Sequence, residues 1–504
     1  MPIYLGSKKV SIQTNVTPEE PSVFIRDPYG NLIAQYIKDE FLLLDAYPTP
    51  PTLSGLTFQE YNWTLADAQS YVRDNDSIDI GATYTTTSGK NEIIVEVNKG
   101  TGLSISIASA VTGTRDWGDG TSDTATSHTY AQAGTYTITI DTTTFGSSGS
   151  NVFSQNNSQP NYTVKELRIV QPTSLICNFS YCYALRNIIL SNTVTSVTYS
   201  MAFGYCYKLE NVVFPKSITT LASQLFYNDY NLSFVSLAKN NSLTVIQSSL
   251  FYSCRLKRFV IPNSITSIYG QAFNNTRNLE SIIIPESVNS TDTSIFNACY
   301  ALKKVVLPST LTAIMASTFT YCYALESIII KNGTTYIGND AFSYCYNLKS
   351  LSIPNSVTML GVNGAATSIF ENCYNLEKID IPSSVNVTSF SSTFRYCYKL
   401  KEITIPDSVT TIGSNTFNFC SSLTELKFPS GLTSIQSSAF SNCSKMMLYD
   451  FSDCLAVPSL SSTNAFLNMD RSAKIVVPDS LYESWIATTN WANYADCIYK
   501  ASEV

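Results

Sequence analysis

His128 is the only histidine in the chain, so nucleophilic or acid–base chemistry of the Ser-His-Asp kind would have to pass through it. It follows the run Asp116-Trp117-Gly118-Asp119-Gly120-Thr121 and precedes Tyr130. A histidine beside a tryptophan and turn carboxylates reads as a core hydrogen-bonder, not a general base. Trp117 is expected to fill a core. Gly118 and Gly120 permit a tight turn in which Asp119 takes up nearby backbone N–H groups. A calcium ion at Asp116, Asp119 or Asp123 is the alternative use of these acids. No Gly-rich phosphate loop, HExxH pair or nucleophile elbow occurs, and no carboxylate pair is singled out for glycoside cleavage. The expectation is a non-enzyme without a cofactor.

Thiols are the second chemical group. Of thirteen cysteines, ten fall three residues after a phenylalanine: Cys182, Cys206, Cys254, Cys299, Cys322, Cys345, Cys373, Cys397, Cys420 and Cys443. One thiol per period, with no histidine and no CxxC pair, reads as a small buried filler, as at Phe342 and Cys345. Disulfides between periods and a metal ladder are the rival uses.

Tyrosine offers binding instead of catalysis. Tyr183, Tyr207, Tyr230, Tyr300, Tyr323, Tyr346, Tyr374 and Tyr398 follow the cysteine column, and Tyr181, Tyr205, Tyr321, Tyr344 and Tyr396 precede it. Residues flanking an inward cysteine face outward, and tyrosine gives large contact area at low entropy cost. A self-packing tyrosine ladder is the competing reading. A second candidate surface is the outward mid-strand column: Ile189, Val213, Ser236, Val260, Ile283, Val306, Ile329, Ser352, Asp380, Thr404 and Lys427. Its first part is mostly apolar, which suits a contact face and equally suits strand propensity.

The elements that position these columns follow from a period. Phenylalanine recurs from Phe179 to Phe466 at steps of 22 to 28 residues, the signature of a solenoid. In one coil, Leu325, Ile328 and Ile330 point inward, and Ser327, Ile329 and Lys331 point outward from a short strand. Proline closes many strands, as at Pro354 and Pro406. About thirteen coils are expected over 165–478. A cap over 479–504 uses Trp485, Ile486, Trp491 and Tyr494 to cover the last coil. Upstream, 91–148 alternates as a small β-sandwich, and 149–164 is a Ser/Asn/Gly-rich connector. Residues 1–50 read as a β-rich attachment domain. It holds a hairpin turning at Gly6-Ser7-Lys8-Lys9 and a turn at Asp27-Pro28-Tyr29-Gly30-Asn31. Residues 51–90 read as a linker with a short helix over 64–73, capped by Thr64.

Charged residues make up only 14% of the chain, and the net charge is −7. That balance excludes a phosphate footprint and a nucleic-acid partner. No run of 18 apolar residues exists, so no membrane insertion is expected. The segment MPIYLGSKKVSIQTNV lacks an apolar core of signal-peptide length. The expectation is assembly in a host cytoplasm, with reduced cysteines.

The WGDG turn followed by His128-Thr-Tyr130 and Gly134-Thr-Tyr136 resembles the PKD domain over about 50 residues. That resemblance implies a seven-stranded immunoglobulin-type sandwich used as a spacer. The unit seen at 353–376 and 405–423 resembles the BspA-like, or Treponema-type, leucine-rich repeat. It implies a mainly β solenoid that binds and does not catalyse. The order of segments resembles phage and prophage structural proteins of gut bacteria. What this implies is a virion fibre or decoration protein: other virion proteins bind its N-terminal domain, a host-surface glycan or protein meets the solenoid, and self-association is left open. A bacterial surface or secreted adhesin is the alternative, and a glycan depolymerase a third.

Overall fold

The computed structural model describes residues 4–5, 8–9, 22–75, 77–98, 104–109, 111–141, 152–153, 161–239 and 242–504. At the N-terminus β1 (Tyr4–Leu5) and β2 (Lys8–Lys9) pair antiparallel, Tyr4 opposite Lys9. Lys8 and Lys9 are thus strand residues, not turn residues; Val10-Ser11-Ile12 lies outside the described residues.

The Asp27 turn forms as expected. β3 (Val23–Arg26) and β4 (Leu32–Tyr36) pair around it. The Asp27 carboxylate accepts from the N–H groups of Tyr29 and Asn31, both at 2.9 Å. α1 (Lys38–Leu42) follows, then β5 (Leu56–Tyr61), α2 (Leu65–Asp74) and β6 (Ile78–Thr86). Thr64 caps α2 by accepting from Asp67 N–H at 3.1 Å. The segment read as a linker is not one. β6 pairs in parallel with β3 and antiparallel with β5, giving the sheet order β4-β3-β6-β5. The segment Pro48-Thr49-Pro50-Pro51 is held against this sheet by Tyr61 and Tyr84, whose hydroxyls donate to the Pro48 and Pro51 carbonyls. Residues 22–86 therefore form one small α/β module, because β6 (buried pattern Ile78, Ile80, Ala82, Tyr84) needs neighbours on both edges.

The 91–141 region has two sheets among the described residues. β7 (Asn91–Val97), β9 (Arg115–Asp116), β10 (Ser122–Asp123) and β12 (Gly134–Ile140) form one; β8 (Ser104–Ser106) and β11 (Ser127–Thr129) form the other. Trp117 and Tyr130 are buried in this region's core. Six strands of this region lie among the described residues, where the resemblance implied seven for the whole domain. Nor is the region a free-standing spacer. β7 also pairs antiparallel with β13 (Val164–Ile169), the first strand of the solenoid, so one sheet runs from sandwich to repeats. In the connector, Val152 and Phe153 are buried, and Phe153 lies 6.0 Å from Phe179, one step beyond the phenylalanine column.

The solenoid makes about 14 turns, one more than the repeat count suggested. Main strands pair in parallel from coil to coil, as Lys304–Val306 does with Ser327–Ile329. A second parallel ladder runs through pairs such as Tyr336–Ile337 on Met359–Leu360. The thirteen phenylalanines are all buried, and adjacent rings stack at 5.3–6.1 Å. The step of 28 residues is taken up by an excursion at 361–365, where Gly361 and Gly364 adopt positive φ and Val362 bridges Ala365.

Each cysteine in the column is buried and free. In nine of the ten, Cys206 to Cys443, the thiol donates to the phenylalanine carbonyl one coil back, as Cys345 Sγ does to Phe319 O at 3.3 Å and Cys420 Sγ to Phe394 O at 3.1 Å. The column is thus a ladder of donors as well as a filler. Thr276 replaces cysteine with the same geometry, Oγ1 to Phe251 O at 3.0 Å. Asp229 replaces it too; its Oδ1 accepts from Cys206 N–H at 2.6 Å. Its Oδ2 is buried without a hydrogen-bond partner. Full burial pushes this carboxyl well above the usual range.

The cap forms as expected. α3 (Tyr482–Ala487) and the turn Trp491–Cys497 seat Trp485 and Trp491 on Phe451 and Phe466 at 5.4–5.6 Å. A last strand, Ile498–Lys500, pairs with Lys474–Val477 and completes the sheet.

Candidate ligand-binding surface

The outward strand column divides in two. In the first coils it is not a free surface. Ile189 and Val213 are buried, with 3% and 4% of their area exposed. Ile189 belongs to the core of the N-terminal module, with Val23, Ile25, Ile78 and Ile80, and Val260 packs against it. Contact is close: a Cβ on Gly81 would lie 2.4 Å from Val213 Cγ1. The polar member of the column is matched as well. Ser236 Oγ accepts from Asn62 Nδ2 at 2.9 Å and donates to the Asp79 carbonyl at 3.1 Å. Trp63 Nε1 donates to Leu237 O at 2.9 Å, and Asn211 Nδ2 to Tyr29 O at 2.7 Å. Ion pairs Lys216–Glu60 (2.9 Å) and Lys239–Asp67 (2.7 Å) rim the contact. The apolar stripe is a contact face, but its partner here is the chain's own residues 22–86. This follows from the cost of leaving such a patch in water.

Beyond the module the face opens. Ile283 and Val306 are half-buried, and Ile329 is 74% exposed. Ser352, Asp380, Thr404 and Lys427 are exposed. The charges there are largely paired along the sheet, as Lys401–Glu377 (2.8 Å) and Lys427–Asp453 (2.7 Å) show.

The tyrosines form the edge of the coils. Tyr183, Tyr207 and Tyr230 stack at 4.4 and 5.4 Å. Tyr300, Tyr323, Tyr346, Tyr374 and Tyr398 continue at 4.4–5.2 Å. The preceding column stacks beside it, as at Tyr181–Tyr205, 4.8 Å apart. Most of these rings are half-buried, while Tyr230 and Tyr398 are 51% and 37% exposed. Within a stack the ring faces are occupied by neighbours, so the interior rings offer edges and hydroxyls. Free faces occur only where a stack ends. Packing raises the Tyr346 hydroxyl to about 12, chiefly by desolvation, so that hydroxyl remains a donor.

The sequence did not reveal the backbone beneath. Tyr181, Tyr205, Tyr321, Tyr344 and Tyr396 all have φ near +60°, as do Asn228, Asn275, Asn372 and Asn442 at equivalent positions. A second left-handed position lies four residues earlier, as at Asp340. Asparagine is the usual residue there; tyrosine is costly, and stacking with the next coil offsets that cost.

The sandwich acids are consumed locally. Asp119 accepts from Thr121 Oγ1 (2.6 Å) and contacts His128 Nε2 (2.7 Å), which hold its carboxyl down at about 2. Asp116 accepts from Gly118 N–H, and Asp123 from Trp117 Nε1. His128 stacks on Trp117 at 4.9 Å. Among the described residues no group of three potential ligands is placed to hold a metal. No described helix is long and apolar enough to cross a membrane.

Comparison with known proteins adds the family. No curated protein matches the chain. Among solved structures, a leucine-rich repeat protein from Bacteroides ovatus is 22% identical, covering 69% of this chain and 97% of its own, with a TM-score of 0.43. A leucine rich cell surface protein from Faecalibacterium prausnitzii is 23% identical, covering 58% of this chain and 85% of its own (TM-score 0.38). A leucine-rich repeat protein from Eubacterium ventriosum is 18% identical, covering 60% and 89% (TM-score 0.40). The BspA type leucine rich repeat region matches residues 150–273, 244–364 and 361–447 in six copies. Those matches take in more than half of the chain, which therefore belongs to the BspA type leucine rich repeat family.

Proposed function

We propose that this is a non-enzymatic adhesion protein that presents the open part of its solenoid to a glycan or protein on a cell surface. The observation that carries this is the run of rings from Tyr300 to Tyr398, stacked as far as Tyr374, half-buried along its length and exposed at Tyr398. It stands on a rigid repeat scaffold whose sheet face uncovers the apolar Ile329. Such rigid aromatic area suits recognition. The one histidine is engaged by Asp119 and Trp117, which supports the non-enzymatic reading. The particle-borne form of this reading is a phage structural protein whose N-terminal region meets other virion proteins. It rests on the order of the segments and on thiols kept reduced.

Tyr398→Ala combined with Ile329→Ala should lower binding of the purified chain to target cells at unchanged fold. Full binding by that variant sinks the surface assignment, and release of reducing sugar from capsule overturns the non-enzyme reading. Co-sedimentation with purified virions supports the particle form; recovery in a cell-envelope fraction instead overturns it.

A further inference from the structure

The tyrosine column is broken for two coils. Where a ring would follow the cysteine position, Arg255 and Arg277 stand instead. The preceding column also loses its rings there, to Ser253 and Asn275. The result is a recess of about 490 Å³ lined by Tyr230, Ser253, Arg255, Asn275, Arg277 and Asn278, a size that suits a small ligand.

Its groups are placed in advance. Arg277 Nε donates to Asn275 Oδ1 at 2.8 Å, and its guanidinium lies 5.2 Å from the Tyr300 ring centre. Asn275 Nδ2 in turn donates to Ser253 Oγ at 2.7 Å. This fixes the Arg277 fork from behind and leaves its terminal amines open. Arg255 is exposed and makes no side-chain hydrogen bond or ion pair among the described residues. Two guanidiniums one coil apart, with no carboxylate lining the recess, repel each other until an anion arrives. Tyr230 forms the other wall; its stacking partner Tyr207 lies on the far side, so one ring face is bare.

We propose that this recess binds a carboxylate-bearing sugar of an acidic glycan. The arginine pair takes the carboxylate, as planar forks favour. Tyr230 takes the apolar face of the ring, and Asn278 and Ser253 meet its hydroxyls. An acidic peptide would use the arginines but not the flat wall that Tyr230 provides. The inference rests on the adhesion reading and names its ligand class.

The test is calorimetric titration of the full chain with tri-galacturonate and with its fully methyl-esterified form, which keeps the rings and removes the charge. The acid should bind, the ester roughly tenfold or more weaker. Arg255→Ala with Arg277→Ala should weaken acid binding by a similar factor, with an unchanged melting curve. Tyr230→Ala should weaken it too. Equal binding of acid and ester, an indifferent arginine variant, or no binding of either overturns the proposal. Equally tight binding of tri-glutamate assigns the recess to acidic peptide and overturns the sugar. A chain that adheres to cells but ignores tri-galacturonate loses this inference alone; one that does neither loses both.

Discussion

The same strand column behaves in opposite ways at the two ends of the solenoid. Ile189 and Val213 sit in a buried interface with the N-terminal module, whereas Ile329, at the equivalent position, is 74% exposed. Residue type is alike and backbone is alike; only the presence of residues 22–86 differs. The repeat therefore supplies a generic apolar face, and the chain decides by coverage which coils keep it for their own assembly and which leave it to a partner.

The sharpest way to break this contrast is to charge both ends. Val213→Asp places an unpaired carboxylate in the covered interface and should cost roughly 3–5 kcal/mol. The module then detaches, seen as new protease cleavage near residues 87–90. Ile329→Asp should change stability by no more than about 0.5 kcal/mol; equal losses at both sites would erase the distinction.

A milder test uses Asp229, which lies in the covered half. Its carboxyl is held above its unfolded value, so the folded state binds the extra proton. Stability is then full below about pH 4 and falls as pH rises, by up to about 1.4 kcal/mol per pH unit, until the folded value is passed. Asp229→Asn keeps an acceptor for Cys206 N–H and removes the titrating group, and should flatten that slope. Urea titrations at several pH values read it directly.

The smallest effect concerns the thiols, which should not distinguish the halves. Burial raises Cys254 and Cys345 alike. Thiol titration of the native chain should find none of the thirteen cysteines reactive, and all of them once denatured. Early labelling confined to the open coils would show that the module protects more than the sheet face.

Much of this architecture could be read from local pattern. The phenylalanine and cysteine columns, the inward Leu325, Ile328 and Ile330, the Asp27 turn, the Thr64 cap and the tryptophan-rich end all depend on residues close in sequence or on a fixed period. What escaped depends on distance. Ile25 and Ile189 are far apart in the chain, and nothing local in either marks the other. The parallel pairing of β6 with β3 crosses what composition suggested was a linker. The joining of β7 to β13 spans the Ser-rich connector. At the binding edge, tracking tyrosine by type hid the break. Aligning every coil on its phenylalanine would have placed Arg255 and Arg277 in that column. Left-handed tyrosines had no signal, because asparagine and glycine are the residues that announce such a backbone.

The docked module also sets how the molecule carries load. A solenoid pulled along its axis resists only through bonds between neighbouring coils, so it peels one coil at a time. Residues 22–86 span several coils of the first half at once, through Asn211, Ser236, Leu237 and Lys239. That half must yield as a block, while the coils beyond Ile329 yield singly. If a ligand is gripped at the open end under tension, the protein works as a stiff mount with a compliant tip.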